Sequence, residues 1–346
     1  MTRVRLLTAI VVVGLAVAGV TAQQRGGGRG PGIPPTGAIE KIKDNLYKIG
    51  GAGGNTTVFI TAEGVVLVDT KLANNGEAIL KQVQTVTDKP VSMIINTHTH
   101  PDHNGSNDYF KAARPTVQVV AHANTSKWVA ANPRSNPAMT PDRTFTDKTT
   151  VGKGKDRIDL YYFGAGHTNG DAFVVFPSVR AMCIGDLMAW NMAPLIDPAT
   201  GGSVIALPDT LEKAEKGIKN VDLVIEGHGN VNTWQGFHAY TEFNRALLTV
   251  AKAALEKKET PEQALAELGK NPKFAVFLKE ELLKDLEYGG TPKSRALINL
   301  NVAYQELKGE PVTTNFGPRG AAPPPAPGPG QGPGAGPAPA PPPPGK

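Results

Sequence analysis

"INTHTHPDHNGSN", Ile95 to Asn107, gathers His98, His100, Asp102 and His103 into six consecutive residues. The chain has only 7 histidines among 346 residues, so three of them crowd the end of one apolar run. That run, "VSMII" from Val91 to Ile95, is short, partly β-branched and bounded by Pro90 and Asn96. It predicts a buried strand that runs into a loop. The alternate spacing of His98, His100 and Asp102 would aim all three to one side of an extended segment. His103 follows directly, where a helix can open with Asp102 near its start. Neutral imidazole is the commonest metal ligand, and carboxylate suits the same cations. A polar loop that is rich in histidine by chance does not explain an ordered H-x-H-x-D-H. The motif predicts a metal site.

One loop supplies too few ligands, so matching donors are expected elsewhere. "GAGHTNGD" offers His167 after the strand-like "RIDLYYFG". "AMCIGDL" offers Asp186 at the end of another short apolar run, and "DLVIEGHGN" offers His228. Each follows a strand-like segment in a Gly-containing loop, the edge of a sheet where sites gather. Taken singly, each is an ordinary turn or capping residue.

This order of motifs, from Ile39 to Gly229, resembles the metallo-β-lactamase superfamily. "VVLVDT", Val65 to Thr70, is similar to the family's early strand ending in Asp. The resemblance implies an α/β fold, a four-layer αβ/βα sandwich with the metals at one edge. It implies one metal held by His98, His100 and His167, and a second by Asp102, His103 and His228, with Asp186 bridging. Asp69 would accept a hydrogen bond from a ligand histidine and orient it. Two cations so held can share a hydroxide and clamp attacking and departing oxygens, with Asp102 steadying the nucleophile. Two Zn2+ ions suit a nitrogen and oxygen donor set without thiolate; iron or manganese suits it too.

Departures from the pattern narrow the chemistry. The family's zinc β-lactamases usually carry Cys or Ser where this chain has Asp186, which resembles instead its esterases, lactonases, thioesterases and phosphodiesterases. Cys183 lies three residues earlier, within a strand-like run, and reads as a core side chain. His100 stands where the flavodiiron reductases of the superfamily have Glu.

Composition sets the boundaries. Arg3 and Arg5, an apolar stretch from Leu6 to Val20 and small residues to Ala22 predict a signal peptide over residues 1–22 and a periplasmic or secreted protein. A membrane anchor, the competing reading, normally wants roughly 20 apolar residues. Cys183 is the only cysteine, so no disulfide can form within the chain. Residues 23–36 form a Gly/Pro-rich linker, and residues 317–346 a Pro/Gly-rich tail expected to be disordered. Between them, 37–230 reads as the metallo-β-lactamase-like domain and 231–316 as a C-terminal helical extension packed on it.

The formal charge of +5 suggests nucleic acid, but the tails mislead. The two termini hold Arg3, Arg5, Arg25, Arg29, Arg319 and Lys346 and no acids; without these six, 30 basic residues face 31 acidic ones. A nucleic-acid enzyme should show a basic footprint on its folded part. The expected partner is a small-molecule substrate, with no nucleic acid and, after signal cleavage, no membrane.

Between the motifs, "NLYKIG", "TTVFIT", "GVVLVDT" and "TVQVVAH" read as strands, as do "DAFVVFP" and "RAMCIGD". Helical spacing runs over 75–85, 237–257, 261–268, 274–286 and 294–307. Apolar Met188, Trp190 and Met192, just past Asp186, are candidate pocket residues. "GAGGN", Gly51 to Asn55, reads as a mobile flap on the opposite wall. His122 and His238 read as structural. The whole predicts an exported dinuclear hydrolase acting through a metal-bridging hydroxide on an ester, lactone, thioester or amide. Its alternatives are a true β-lactamase and a mononuclear iron oxidoreductase resembling the persulfide dioxygenases.

Overall fold

The computed structural model describes residues 35–132, 139–279 and 295–312. The expected signal peptide at 1–22, all but the last two residues of the linker and the tail at 317–346 lie outside the described residues. Among the described residues, no helix is long and apolar enough to cross a membrane.

Two mixed sheets carry the fold. The first runs β1 (Ile39–Lys43), β2 (Leu46–Ile49), β3 (Thr56–Ile60), β4 (Val65–Val68), β5 (Val91–Ile95), β6 (Gln118–His122), β7 (Arg143–Phe145). Its first four strands pair antiparallel, and β4 to β7 pair parallel. The second runs β13 (Val231–Thr233), β12 (Leu223–Ile225), β11 (Ala181–Cys183), β10 (Phe173–Phe176), β9 (Ile158–Tyr161), β8 (Lys148–Val151). There only β11 and β12 are parallel.

Strand periodicity explains the layering. Side chains alternate across a strand, and β4 is buried at all four positions. Val65 and Leu67 pack with Ile79 and Val83 of helix α1 (Gly76–Gln84) and Phe110 of a later helix at Asn107–Ala113. Val66 and Val68 turn the other way, into a core shared with Val174, Phe176, Cys183 and Ile225 of the second sheet. Strand β10 repeats the device: Val174 and Phe176 face the first sheet, while Phe173 and Val175 face helices. A sheet covered on both faces reads as continuous apolar sequence. The result is helix, sheet, sheet, helix.

The short helix α2 (Pro101–Asn104) follows β5, then comes α3 (Asn107–Ala113), and α4 (Ala123–Ala131) follows β6. The outer layer on the second sheet is α5 (Leu207–Gly217), α6 (Trp234–Glu256), α7 (Pro261–Leu268) and α8 (Arg295–Lys308). Along α6, Phe237, Tyr240, Phe243, Leu247, Ala251 and Ala254 recur at three- and four-residue steps and are buried against that sheet. Leu211, Leu268 and Leu300 join the same core from α5, α7 and α8.

Three readings of the sequence need correction. Val231–Thr233 is not the start of the helical region; it is an edge strand paired with β12. Three residues hold too little alternation to signal a strand. The expected helix from Phe274 is a run of 3-10 turns over Pro272–Leu278, and residues 280–286 lie outside the described residues. His98 to Asp102 is not one extended segment, because Pro101 opens α2 and puts Asp102 and His103 in its first turn.

Candidate metal centre

The sheet topology brings the candidate residues together. Parallel β4 and β5 end at the same edge, delivering Asp69 and the loop that holds His98 and His100. In the second sheet β9, β11 and β12 run the same way, and His167, Asp186 and His228 follow their ends. All seven residues singled out as ligands meet in one cluster. Its donor atoms form three overlapping sets, each within 4.8 Å: His98, His100 and His167; His98, His103 and Asp186; Asp102, His103 and His228.

The distances within it are short. His167 Nε2 lies 2.9 Å from His100 Nδ1, and His103 Nε2 lies 3.3 Å from His228 Nε2. Asp186 sits between these pairs: Oδ1 is 3.2 Å from His103 Nε2, and Oδ2 is 3.5 Å from His228 Nε2 and 3.8 Å from His167 Nε2. Asp102 Oδ2 is 3.2 Å from His228 Nε2.

Outward-facing nitrogens are tied down. The Nδ1 of His103 lies 2.7 Å from Asp69 Oδ2, and the Nε2 of His100 lies 2.7 Å from Asp197 Oδ2. His167 Nδ1 meets the Leu195 carbonyl. With the outer N–H donated in each case, the inner nitrogen keeps its lone pair and points inward, the tautomer a metal ligand needs. Asp69 is itself fixed, accepting from Thr97 N at 2.8 Å and Thr97 Oγ1 at 2.7 Å. Sequence reasoning missed Asp197, eleven residues past Asp186; a lone Asp before Pro signals a turn and nothing more.

Among the described residues, the buried side-chain atoms without a hydrogen-bond partner include two at this cluster, His98 Nε2 and Asp186 Oδ1. Leaving such groups unmade inside a protein costs about 1–3 kcal/mol each. Both belong to the donor sets, so cations would satisfy what the chain leaves open. Electrostatics agree. Burial drives His98 well below the usual histidine range, helped by His103, His167 and His100. Burial and His100 bring His167 down to about 4. Burial alone would lower His103 and His228, but Asp186 and Asp102 outweigh it and raise both. Burial alone would raise Asp102 and Asp186; the same two histidines overcome it and keep both carboxylates ionised.

"GAGGN" is pinned rather than mobile. Gly54 N donates to Asp102 O at 2.9 Å, Asn55 N to Gly227 O at 2.7 Å, and Asn55 Nδ2 to Glu226 O at 3.0 Å. Beneath it the buried Lys71 donates to Ile49 O at 2.7 Å and Gly54 O at 2.8 Å, and burial lowers its ammonium to about 7. Met188 and Met192 are both buried, Met188 in the core under α6. Trp190 reaches the site, stacked on His228 at 4.2 Å and 18°. His122 is structural, its Nε2–H donating to Thr146 O at 2.7 Å, with the ring against Tyr162. His238 is exposed beside Glu215. Cys183 is buried, and burial pushes its thiol up to about 12.

The family model described as the Metallo-beta-lactamase superfamily matches residues 49–189. The metallo-beta-lactamase type 2 of Elizabethkingia meningoseptica is 27% identical over 203 residues, covering 55% of this chain and 78% of that protein. That of Bacteroides fragilis is 28% identical over 205 residues, covering 56% and 79%. The family match takes in every candidate ligand but His228, and with these relatives it marks the chain as a metallo-hydrolase. Solved structures share the fold. A metallo-beta-lactamase from Pontibacter korlensis superposes at TM-score 0.51 and 22% identity, covering 59% of this chain and 98% of its own. A stereoselective inverting sec-alkylsulfatase from Pseudomonas sp. reaches 0.61 at 17% identity, covering 84% of this chain and 52% of its own.

Asp69→Asn tests the carboxylate behind His103. It keeps the shape but exchanges one accepting oxygen for a donor. Loss of such a partner typically weakens metal binding about 10- to 100-fold. A competitive chelator titration reads the change, and wild-type affinity would show that Asp69 leaves His103 unaffected.

Proposed function

We propose that this metallo-hydrolase is an exported dinuclear enzyme acting on a small carbonyl substrate: an ester, lactone, thioester or amide. The observation that carries the reading is Asp186, a buried carboxylate within 3.8 Å of ring nitrogens from both ends of the cluster. In this assignment His98, His100 and His167 would hold one ion, Asp102, His103 and His228 the other, with Asp186 shared between them. Zinc fits the donors, as do iron and manganese. Two such ions supply Lewis acidity toward a carbonyl and bring the pKa of a water toward neutrality.

The chain's own residues do the rest. Asp102 has a side chain 21% exposed against 8% for Asp186, so it is the carboxylate that meets solvent. It orients the attacking water and receives its proton at a carboxylate oxygen. Asp69, Asp197 and the Leu195 carbonyl keep the imidazoles aimed, so the donor set needs no reorganisation as charge develops. Trp190 offers an apolar wall to the acyl or alcohol part of the substrate. Export rests on the sequence of residues 1–22.

A β-lactam substrate is a second reading, favoured by the two type 2 relatives at 27% and 28% identity. Asp186, in place of the lactamases' Cys or Ser, argues against it. Comparing kcat/KM for aryl esters and lactones with that for a cephalosporin, in zinc and manganese forms, separates the two directly. Faster ester or lactone hydrolysis is expected. Efficient cephalosporin opening with negligible esterase and lactonase activity would return the chain to the lactamases proper.

A further inference from the structure

Helix α8 is bonded to the chain that backs the candidate metal centre. Its residues Arg295, Asn299 and Glu306 fall at steps of four and seven, which put them on one face. All three grip a single stretch of chain, the segment between Asp186 and α5. Asn299 Nδ2 donates to Pro194 O at 2.6 Å. Glu306 accepts from Ser203 Oγ at 2.7 Å and from the backbone N–H groups of Val204 and Ile205 at 3.1 Å each. The Arg295 guanidinium lies 4.7 Å from the Trp190 ring centroid.

What lies between the first two grips matters most. Leu195 follows Pro194, and its carbonyl accepts from His167 Nδ1. Asp197 accepts from His100 Nε2. Asp197 N donates to His167 O at 2.8 Å, Gly202 N to Asp197 O at 2.9 Å, and Ser203 N to Gly166 O at 3.0 Å. The segment is therefore a short, hydrogen-bonded bridge from α8 to the two imidazoles, with Asn299 before it and Glu306 after it. The helix is seated independently by Ala296, Leu300, Val302 and Ala303 in the core under the second sheet.

We propose that α8 is a positioning clamp: through Glu306 and Asn299 it sets the aim of His100 and His167, and so the affinity of the metal position they share with His98. The inference rests on the ligand assignment above. Glu306 acts at one end of the helix only. Arg295, eleven residues away and thus about 16 Å along the axis, meets Trp190 over the other metal position.

Cobalt titration of the metal-free protein, followed by its visible absorption, tests the clamp without measuring turnover. The wild type is expected to bind two equivalents. Glu306→Ala is expected to weaken one equivalent about 10- to 100-fold, the usual effect of losing a ligand's outer support, and to leave the other unchanged. Glu306→Gln, which keeps one accepting oxygen and folds more safely, should fall between. A general loss of stability would weaken both equivalents alike, and that result overturns the clamp. So does wild-type affinity for both equivalents in Glu306→Ala and Glu306→Gln. A wild type that binds fewer than two equivalents overturns instead the dinuclear assignment beneath it.

Discussion

Asp186→Asn is expected to cut turnover on the order of 10³-fold and to lower the metal content from about two ions per chain to about one. Asparagine fills the same space, so shape is not the cause. The change removes a negative charge that the histidines keep ionised despite burial, and it removes one accepting oxygen from between two groups of donors. A carboxylate shared by two cations sets their spacing as well as their charge, so occupancy and rate should fall together. Elemental analysis and single-turnover kinetics on the same preparation measure both. If both survive unchanged, Asp186 does not bridge. A wild-type protein holding one tight iron and no second ion would favour the oxidoreductase alternative.

Gly54→Ala is the second large effect, and it comes from one methyl group. The Gly54 backbone is not in the left-handed region, so the obstacle is space alone. A Cβ there would lie 2.6 Å from His103 Nε2 and 2.7 Å from Nδ1. His103 cannot retreat, with Nδ1 held by Asp69 at 2.7 Å and its carbonyl accepting from Thr70 N at 2.7 Å. The loop cannot lift either, because Gly54 and Asn55 are bonded to both halves of the fold. Overpacking of this kind costs about 1–3 kcal/mol, and a reacting group displaced by about 1 Å loses roughly 100-fold in rate. Loss of one metal with a modestly lower melting temperature is expected. Two metals and full turnover in this variant would mean that the loop moves aside, as a flap does.

What the sequence made legible follows from how the information is stored. Four donors in six residues survive without a fold, because their spacing is local and improbable. His167, Asp186 and His228 were legible only as residues after strand-like runs, and the structure draws them into the same cluster. Strands buried on both faces announced themselves as apolar runs. Strands β1, β7, β8 and β13 did not, being short or partly exposed, so that pairing partners define them rather than pattern. Asp197, Lys71 and Asn55 were silent for another reason. Each acts through a contact with a residue far away in the chain, and no local spacing records such a contact.

The candidate ligands are divided between the two sheets: His98, His100, Asp102 and His103 follow the first, and His167, Asp186 and His228 follow the second. Ions held in the proposed way would be tie-rods across the seam between the halves. An unfolded chain has no such site, so the ions enter the folding equilibrium by mass action. Each tenfold rise in free metal above the dissociation constant would add about 1.4 kcal/mol of stability per ion, and roughly twice that for the pair. With no disulfide available to do the same work, the melting temperature becomes a reading of the metal in the surroundings as much as of the polypeptide.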